Sequence, residues 1–156
     1  MRLTTYADYS LRLLLYLAVN DGSIATIPRV AQSYGISRNH LVKVTHRLGL
    51  KGYITTVRGK NGGLRLARSA TMINVGDVIR CMEPDLAIVP CMDHADTDCP
   101  IVPSCLLRNA MESARAAFLA VLDAYTIADL TTQRDSLQEL LHIAPTRTEP
   151  EFDRVP

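Results

Sequence analysis

The sequence predicts a mainly α chain with a small β-wing, a winged helix-turn-helix continued by one long amphipathic helix. Three observations carry that expectation. Apolar residues recur at three- and four-residue steps through residues 3–20, 38–48 and 104–125. Two β-rich runs flank a basic, glycine-rich tip at Gly59-Lys60-Asn61-Gly62. Charge is polarised along the chain: residues 1–80 hold twelve Lys and Arg against three Asp, net +9, whereas residues 81–156 hold five against thirteen acidic residues, net −8.

The first helix follows from Leu3, Tyr6, Ala7, Ser10, Leu11, Leu14, Leu17 and Ala18, which share one stripe over residues 3–20, with Asp8 and Arg12 off it. Asn20-Asp21-Gly22 stops it. Pro28 suits the first turn of a second, short helix, and Gly35 the left-handed position that ends it. Ser37 can cap a third helix to about Leu48, with Leu41, Val44 and Leu48 inside and Arg38, Asn39, His40, Lys43 and Arg47 outside. The stretch from Gly52 to Leu66 then reads as two β-rich runs joined by a Gly-rich basic tip, a wing. Asn74 can cap a short helix that holds Val75, Val78, Ile79 and Cys81 and ends before Pro84.

Beyond a cysteine-rich loop, Leu107, Ala110, Met111, Ala114, Phe118, Val121, Leu122 and Tyr125 make the stripe of a long helix that begins near Ser104. A lone amphipathic helix of this length finds its missing partner in a second copy of the chain, so it reads as a dimerisation helix. Leu137, Leu140, Leu141 and Ile143 suggest a last short helix. The expected organisation is residues 1–80 as a winged helix-turn-helix DNA-binding domain, 81–143 as cysteine loop and dimerisation helix, and 144–156 as a disordered tail.

Basic helix, basic wing and net +9 occur together, which points to double-stranded DNA as partner. Arg38, Asn39 and His40 are placed to approach bases and Lys43, Arg58, Lys60 and Arg65 to meet phosphates, with Arg47 also in the DNA-binding set. A homodimer suits a two-fold operator. No Gly-rich nucleotide loop or Ser/His/Asp arrangement is present and the four histidines are scattered, so the chain reads as a regulator rather than an enzyme. The apolar run Leu13–Val19 is too short to span a membrane and no cleavage site follows, so a cytoplasmic protein without membrane attachment is expected.

In that reducing compartment, cysteines serve as ligands or sensors more often than as disulfides. Cys91, Cys99 and Cys105 fall within fifteen residues, with seven residues between the first pair and five between the second. Thiolates are soft ligands for iron-sulfur units and for zinc, but zinc sites favour closer pairs and four closed ligands, so iron-sulfur is the better reading. Three cysteines leave a ligand to find. Cys81 reads as a buried core thiol, while Asp93, His94, Asp96 and Asp98 sit in the loop and Asp8 can pair with Arg12 one helical turn on. A zinc- or disulfide-controlled DNA-binding protein is the alternative.

Tyr6-Ala7-Asp8-Tyr9, the run Gly35 to Val44, the wing Arg58 to Leu66 and the three cysteines together resemble the IscR and NsrR family of bacterial iron-sulfur repressors, over nearly the whole chain to about residue 142. The cysteine spacing, with Leu106-Leu107 where the IscR branch has a histidine, is more similar to the nitric-oxide-sensing branch. That resemblance implies a dimeric repressor whose cluster reacts with nitric oxide and releases genes for nitric oxide detoxification. It implies a [4Fe-4S] cluster, a [2Fe-2S] form being the alternative, held by Cys91, Cys99, Cys105 and Asp8 of the opposite subunit. A regulator of the same fold that answers to cluster status or oxidants is the other implied possibility.

Overall fold

The structure is a computed structural model that describes residues 2–20, 23–92 and 99–144. Its helices are α1 (Thr5–Val19), α2 (Ile27–Tyr34), α3 (Arg38–Leu50), α4 (Val75–Met82), α5 (Leu106–Asp123) and α6 (Arg134–Leu140). Strands β1 (Ile54–Val57) and β2 (Gly63–Leu66) pair antiparallel in register Ile54 to Leu66 and Val57 to Gly63. The expected mainly α winged helix-turn-helix is therefore the observed fold.

Helix α1 is the centre. Thr4 caps it, its hydroxyl accepting from Ala7 N–H at 3.2 Å. The expected stripe covers only part of the buried surface: Leu13, Tyr16 and Val19 are fully enclosed as well. One face meets α3 and α4, another meets β2 and α6, so the helix is apolar on most of its circumference. Asp8 and Arg12 remain on the half-exposed strip.

The turn between α2 and α3 follows expectation. Gly35 takes φ 63°, and Ile36 N–H reaches back to Ala31 O at 3.0 Å, closing the end of α2. Ser37 holds the cap position of α3 but makes no side-chain cap bond, and the helix runs two residues past Leu48. Leu41, Val44 and Leu48 are fully buried against α1 and α2.

Ala25 lies beside β2, where it exchanges hydrogen bonds with Leu64 at 2.7 and 3.1 Å. The wing is thereby fixed to the α1–α2 connection. Asn74 caps α4 as expected, its side chain accepting from Asp77 N–H at 3.1 Å. The same side chain donates to Asp123 O at 2.7 Å, Val75 N–H donates to Tyr125 O at 2.9 Å, and Arg80 meets Asp123 at 2.6 Å. These bonds clamp the C-terminal end of α5 to α4.

Helix α5 starts at Leu106, close to the expected Ser104, with the extended Cys105 as its cap residue. Ser104 belongs to a separate 3-10 turn. No residue of α5 is fully buried. Downstream, Ile127, Leu141 and Ile143 return to the core, and Gln138 Nε2 donates to Val19 O at 3.2 Å. The C-terminal segment thus packs on the winged module. The expected tail after Ala144 lies outside the described residues.

A Cβ on Gly63 would collide with the Ala25 carbonyl, which accepts the Leu64 N–H bond. Gly63→Ala should cost roughly 1–3 kcal/mol, as overpacking against backbone does. Urea unfolding checks it, and an unchanged midpoint would show that the wing is not fixed at this bridge.

Candidate DNA-binding face and cysteine centre

Burying Leu41, Val44 and Leu48 turns the opposite side of α3 outward, and Arg38, Asn39, His40 and Lys43 are all exposed. The His40 ring sits 6.0 Å from that of Tyr9, tilted at 45°, which braces the start of α3 on α1. At the wing, Arg58, Lys60 and Arg65 are exposed. Gly59 takes φ 115°, a backbone open to glycine, and so allows the basic tip to turn tightly.

Arg47 departs from the expected set. Its Nη2 donates to Cys81 O at 2.9 Å, and its guanidinium lies 5.9 Å from the Tyr6 ring centroid. It is half-buried and faces the protein instead of solvent. The physical reason is its position after Val44 on the turn of α3 that meets the end of α4. An arginine satisfies the orphan carbonyl at a helix C-terminus.

The neighbouring Glu83 was not singled out by any sequence pattern. It is only 8% exposed, and its carboxylate accepts from Thr4 N–H at 2.7 Å and from Thr4 Oγ1 at 3.2 Å. The available signal was an acidic residue between the apolar Met82 and Pro84, which periodicity does not read.

Cys91 lies half-buried in the turn Pro90–Met92, which packs on α5. Cys99 is exposed. Cys105, half-buried, caps α5 with its sulfur, Sγ accepting from Arg108 N–H at 3.4 Å. Cys81, expected as a buried core thiol, packs against the core but is half-buried. The cause is its place at the margin of the buried face of α4, which Val78, Ile79 and Met82 occupy.

Asp8 Oδ1 accepts from Arg12 Nε at 3.0 Å, with both side chains 41% exposed. Arg12 also lies 5.8 Å over the ring of Tyr34, whose hydroxyl burial has pushed up to about 12. Tyr34 therefore stays neutral at physiological pH. Among the described residues, no three His, Cys, Asp or Glu side chains converge to hold a metal ion. The expected set Cys91, Cys99, Cys105 and Asp8 is thus not assembled within the described part of one chain. Asp93, His94, Asp96 and Asp98 lie outside the described residues.

The donor chemistry nevertheless fits a soft metal centre. Cys91 and Cys105 are both attached to α5, one through packing and one as its cap. The two sulfurs lie at the boundaries of the cysteine segment, with Cys99 exposed between them.

Residues 3–133 match the Rrf2 family, described as iron-dependent transcriptional regulators. The chain belongs to the Rrf2 family. It is 46% identical over 146 residues to the HTH-type transcriptional regulator NsrR of Halalkalibacterium halodurans, a match covering 93% of this chain and 100% of that protein. NsrR of Bacillus subtilis is 45% identical over 142 residues, 90% of this chain and 97% of that one. Among solved structures, IscR of T. potens superposes with TM-score 0.71 at 25% identity, covering 88% of this chain and 91% of that chain. CymR, the global cysteine regulator of B. subtilis, gives TM-score 0.67 at 25% identity, covering 85% and 98%.

This Rrf2-family chain is thus a winged-helix, DNA-binding transcriptional regulator. No helix among the described residues is long and apolar enough to cross a membrane.

The wing cations should act on phosphates irrespective of sequence. Arg58→Ala or Lys60→Ala should weaken specific and nonspecific DNA binding together, each lost phosphate contact lowering the slope of log K against log salt by about 0.9. Salt titrations measure it, and unchanged slopes at both positions would remove the wing from the interface.

Proposed function

We propose that this chain is an iron-sulfur-dependent repressor that binds operator DNA as a homodimer and releases it in response to nitric oxide. The observation that carries the reading is Cys105 as the cap residue of α5 and Cys91 in the turn Pro90–Met92 packed against that helix, in a chain whose relatives bear the NsrR name. Cys91, Cys99 and Cys105 would supply three thiolates, and Asp8 of the partner subunit the fourth ligand. A [4Fe-4S] cluster is the form proposed, with [2Fe-2S] as the alternative on the same cysteines. When bound, the cluster supplies iron open to a diatomic ligand.

The chain's own residues make this arrangement physically accessible. Asp8 would exchange Arg12 for a metal, and a half-exposed pair one helical turn apart contributes only about 0.3–0.5 kcal/mol. Helix α5 leaves Leu106 82%, Leu107 61% and Val121 62% exposed, an unpartnered apolar face that supports pairing with a second copy. Two copies would present two α3 helices and two wings to a two-fold site. Arg38, Asn39 and His40 would read base edges, while Lys43, Arg58, Lys60 and Arg65 would hold phosphates. The basic N-terminal half would approach DNA and the acidic half would stay clear of it.

Anaerobically purified protein should be brown and contain iron and sulfide. Cys91→Ala, Cys99→Ala or Cys105→Ala should lose the iron, whereas Cys81→Ala should retain most of it. Colourless wild-type protein, or full iron in any of the first three variants, contradicts the ligand assignment.

Nitric oxide added anaerobically should release DNA in a gel-shift titration without forming disulfides. Asp8→Ala should keep iron but change its stability or its response. Undiminished DNA binding at saturating nitric oxide would refute the sensing reading even in a brown protein.

A further inference from the structure

We propose that the C-terminal end of α4 is a coupling joint, at which Arg47 and Glu83 act as positioning residues that hold the reading helix in register with the metal-ligating segments. The inference rests on the function proposed above and names the contacts through which the cysteine loop would reach the DNA-binding face.

Three parts of the chain meet within three residues. The Cys81 carbonyl is one of the last in α4, without an intrahelical partner, and Arg47 Nη2 from α3 donates to it at 2.9 Å. Two residues on, the enclosed Glu83 carboxylate accepts both Thr4 donors, at 2.7 and 3.2 Å. Thr4 is the cap of α1, and its own carbonyl accepts from Asp8 N–H at 3.1 Å. The Tyr6 ring, between Thr4 and Asp8, lies beneath the Arg47 guanidinium.

These contacts link distant positions: Thr4 and Glu83 are separated by 79 residues, Arg47 and Cys81 by 34. A helix end needs only water or any nearby cation as a cap. Here the two partners come from the two helices on which the proposed function depends, α3 that reads DNA and α1 that carries Asp8. Pro84 follows at once, so α4 cannot be extended, and Cys91 lies eight residues beyond Glu83.

A shift of either proposed ligand therefore acts on this joint. Cys91 acts through the segment that starts at Glu83, and Asp8 through the first turn of α1. The response passes to Arg47, which sits on the same rigid helix as Arg38, Asn39, His40 and Lys43. Coupling between two sites requires such a shared element, one whose arrangement both sites bias. Glu83 needs only an acceptor oxygen for this role, because both of its partners are donors.

The test compares DNA affinity of cluster-loaded and metal-free protein, using a duplex selected from random sequence by the wild type. Wild type should show a ratio within the range typical of coupled sites, about 5–150-fold, and Arg47→Met and Glu83→Met should bring it to within about twofold of unity. Glu83→Gln should keep the wild-type ratio, since its amide oxygen can accept both bonds. The salt slope of Arg47→Met should match wild type, and a drop of about 0.9 would make Arg47 a phosphate contact and overturn the assignment.

A second readout needs no DNA. Hydrogen exchange of amides 38–50 should differ between loaded and metal-free wild type, and that difference should vanish in Arg47→Met. Arg47→Met carries the test if Glu83→Met does not fold. Equal affinities of the two wild-type forms would overturn the proposed function and the joint with it. A wild-type ratio that persists in the folded variants would overturn the joint alone.

Discussion

Burial of α1 on most of its circumference is the constraint on which the remaining structure depends. Leu13, Leu14, Tyr16 and Val19 have no exposed surface, and each large apolar side chain so enclosed contributes about 1.5–3 kcal/mol relative to exposure. Helices α3, α4 and α6 and strand β2 all pack against this one rod. Among the described residues the Tyr16 hydroxyl is enclosed without a hydrogen-bond partner, and its ring meets Tyr34 edge-on at 6.3 Å. An orphaned polar group of this kind costs about 1–3 kcal/mol, which the surrounding apolar contacts must offset.

A helix held from nearly all sides has few degrees of freedom left. The polar strip of Asp8 and Arg12 is consequently presented by a stiff support, and so are the contacts it makes toward Tyr34 of α2. The same rigidity passes to α3, whose inner residues are locked against α1 while His40 rests near Tyr9 and Arg47 over Tyr6. The exposed face of α3 is therefore positioned by the core and not by its own surface charges.

Helix α5 is held in the opposite way. Its C-terminal end is clamped by Asn74, Val75 and Arg80, whereas its first turn carries the most exposed leucines and the Cys105 cap. A rod clamped at its C-terminal end leaves its first turn open for the second copy and the cluster of the proposed function. Charge is polarised along the sequence as well, with net +9 over residues 1–80 and net −8 over residues 81–156.

Much of this was legible in the residues because its causes are local. Apolar steps placed α1, α3 and α5, Pro28 and Gly35 bounded α2, and the glycine-rich basic run marked the wing. The chain by itself also determined the three-thiol spacing and the exposure of Arg38, Asn39, His40 and Lys43, since burying Leu41, Val44 and Leu48 leaves those positions outside. Only the tertiary structure decided that Leu13, Tyr16 and Val19 are enclosed, that Arg47 turns inward to Cys81, and that Glu83 is buried beneath Thr4. A period reports which residues share one face of one helix. It contains no term for a second neighbour on the opposite face, nor for a bond between residues 34 or 79 positions apart, which exist only once the elements have packed.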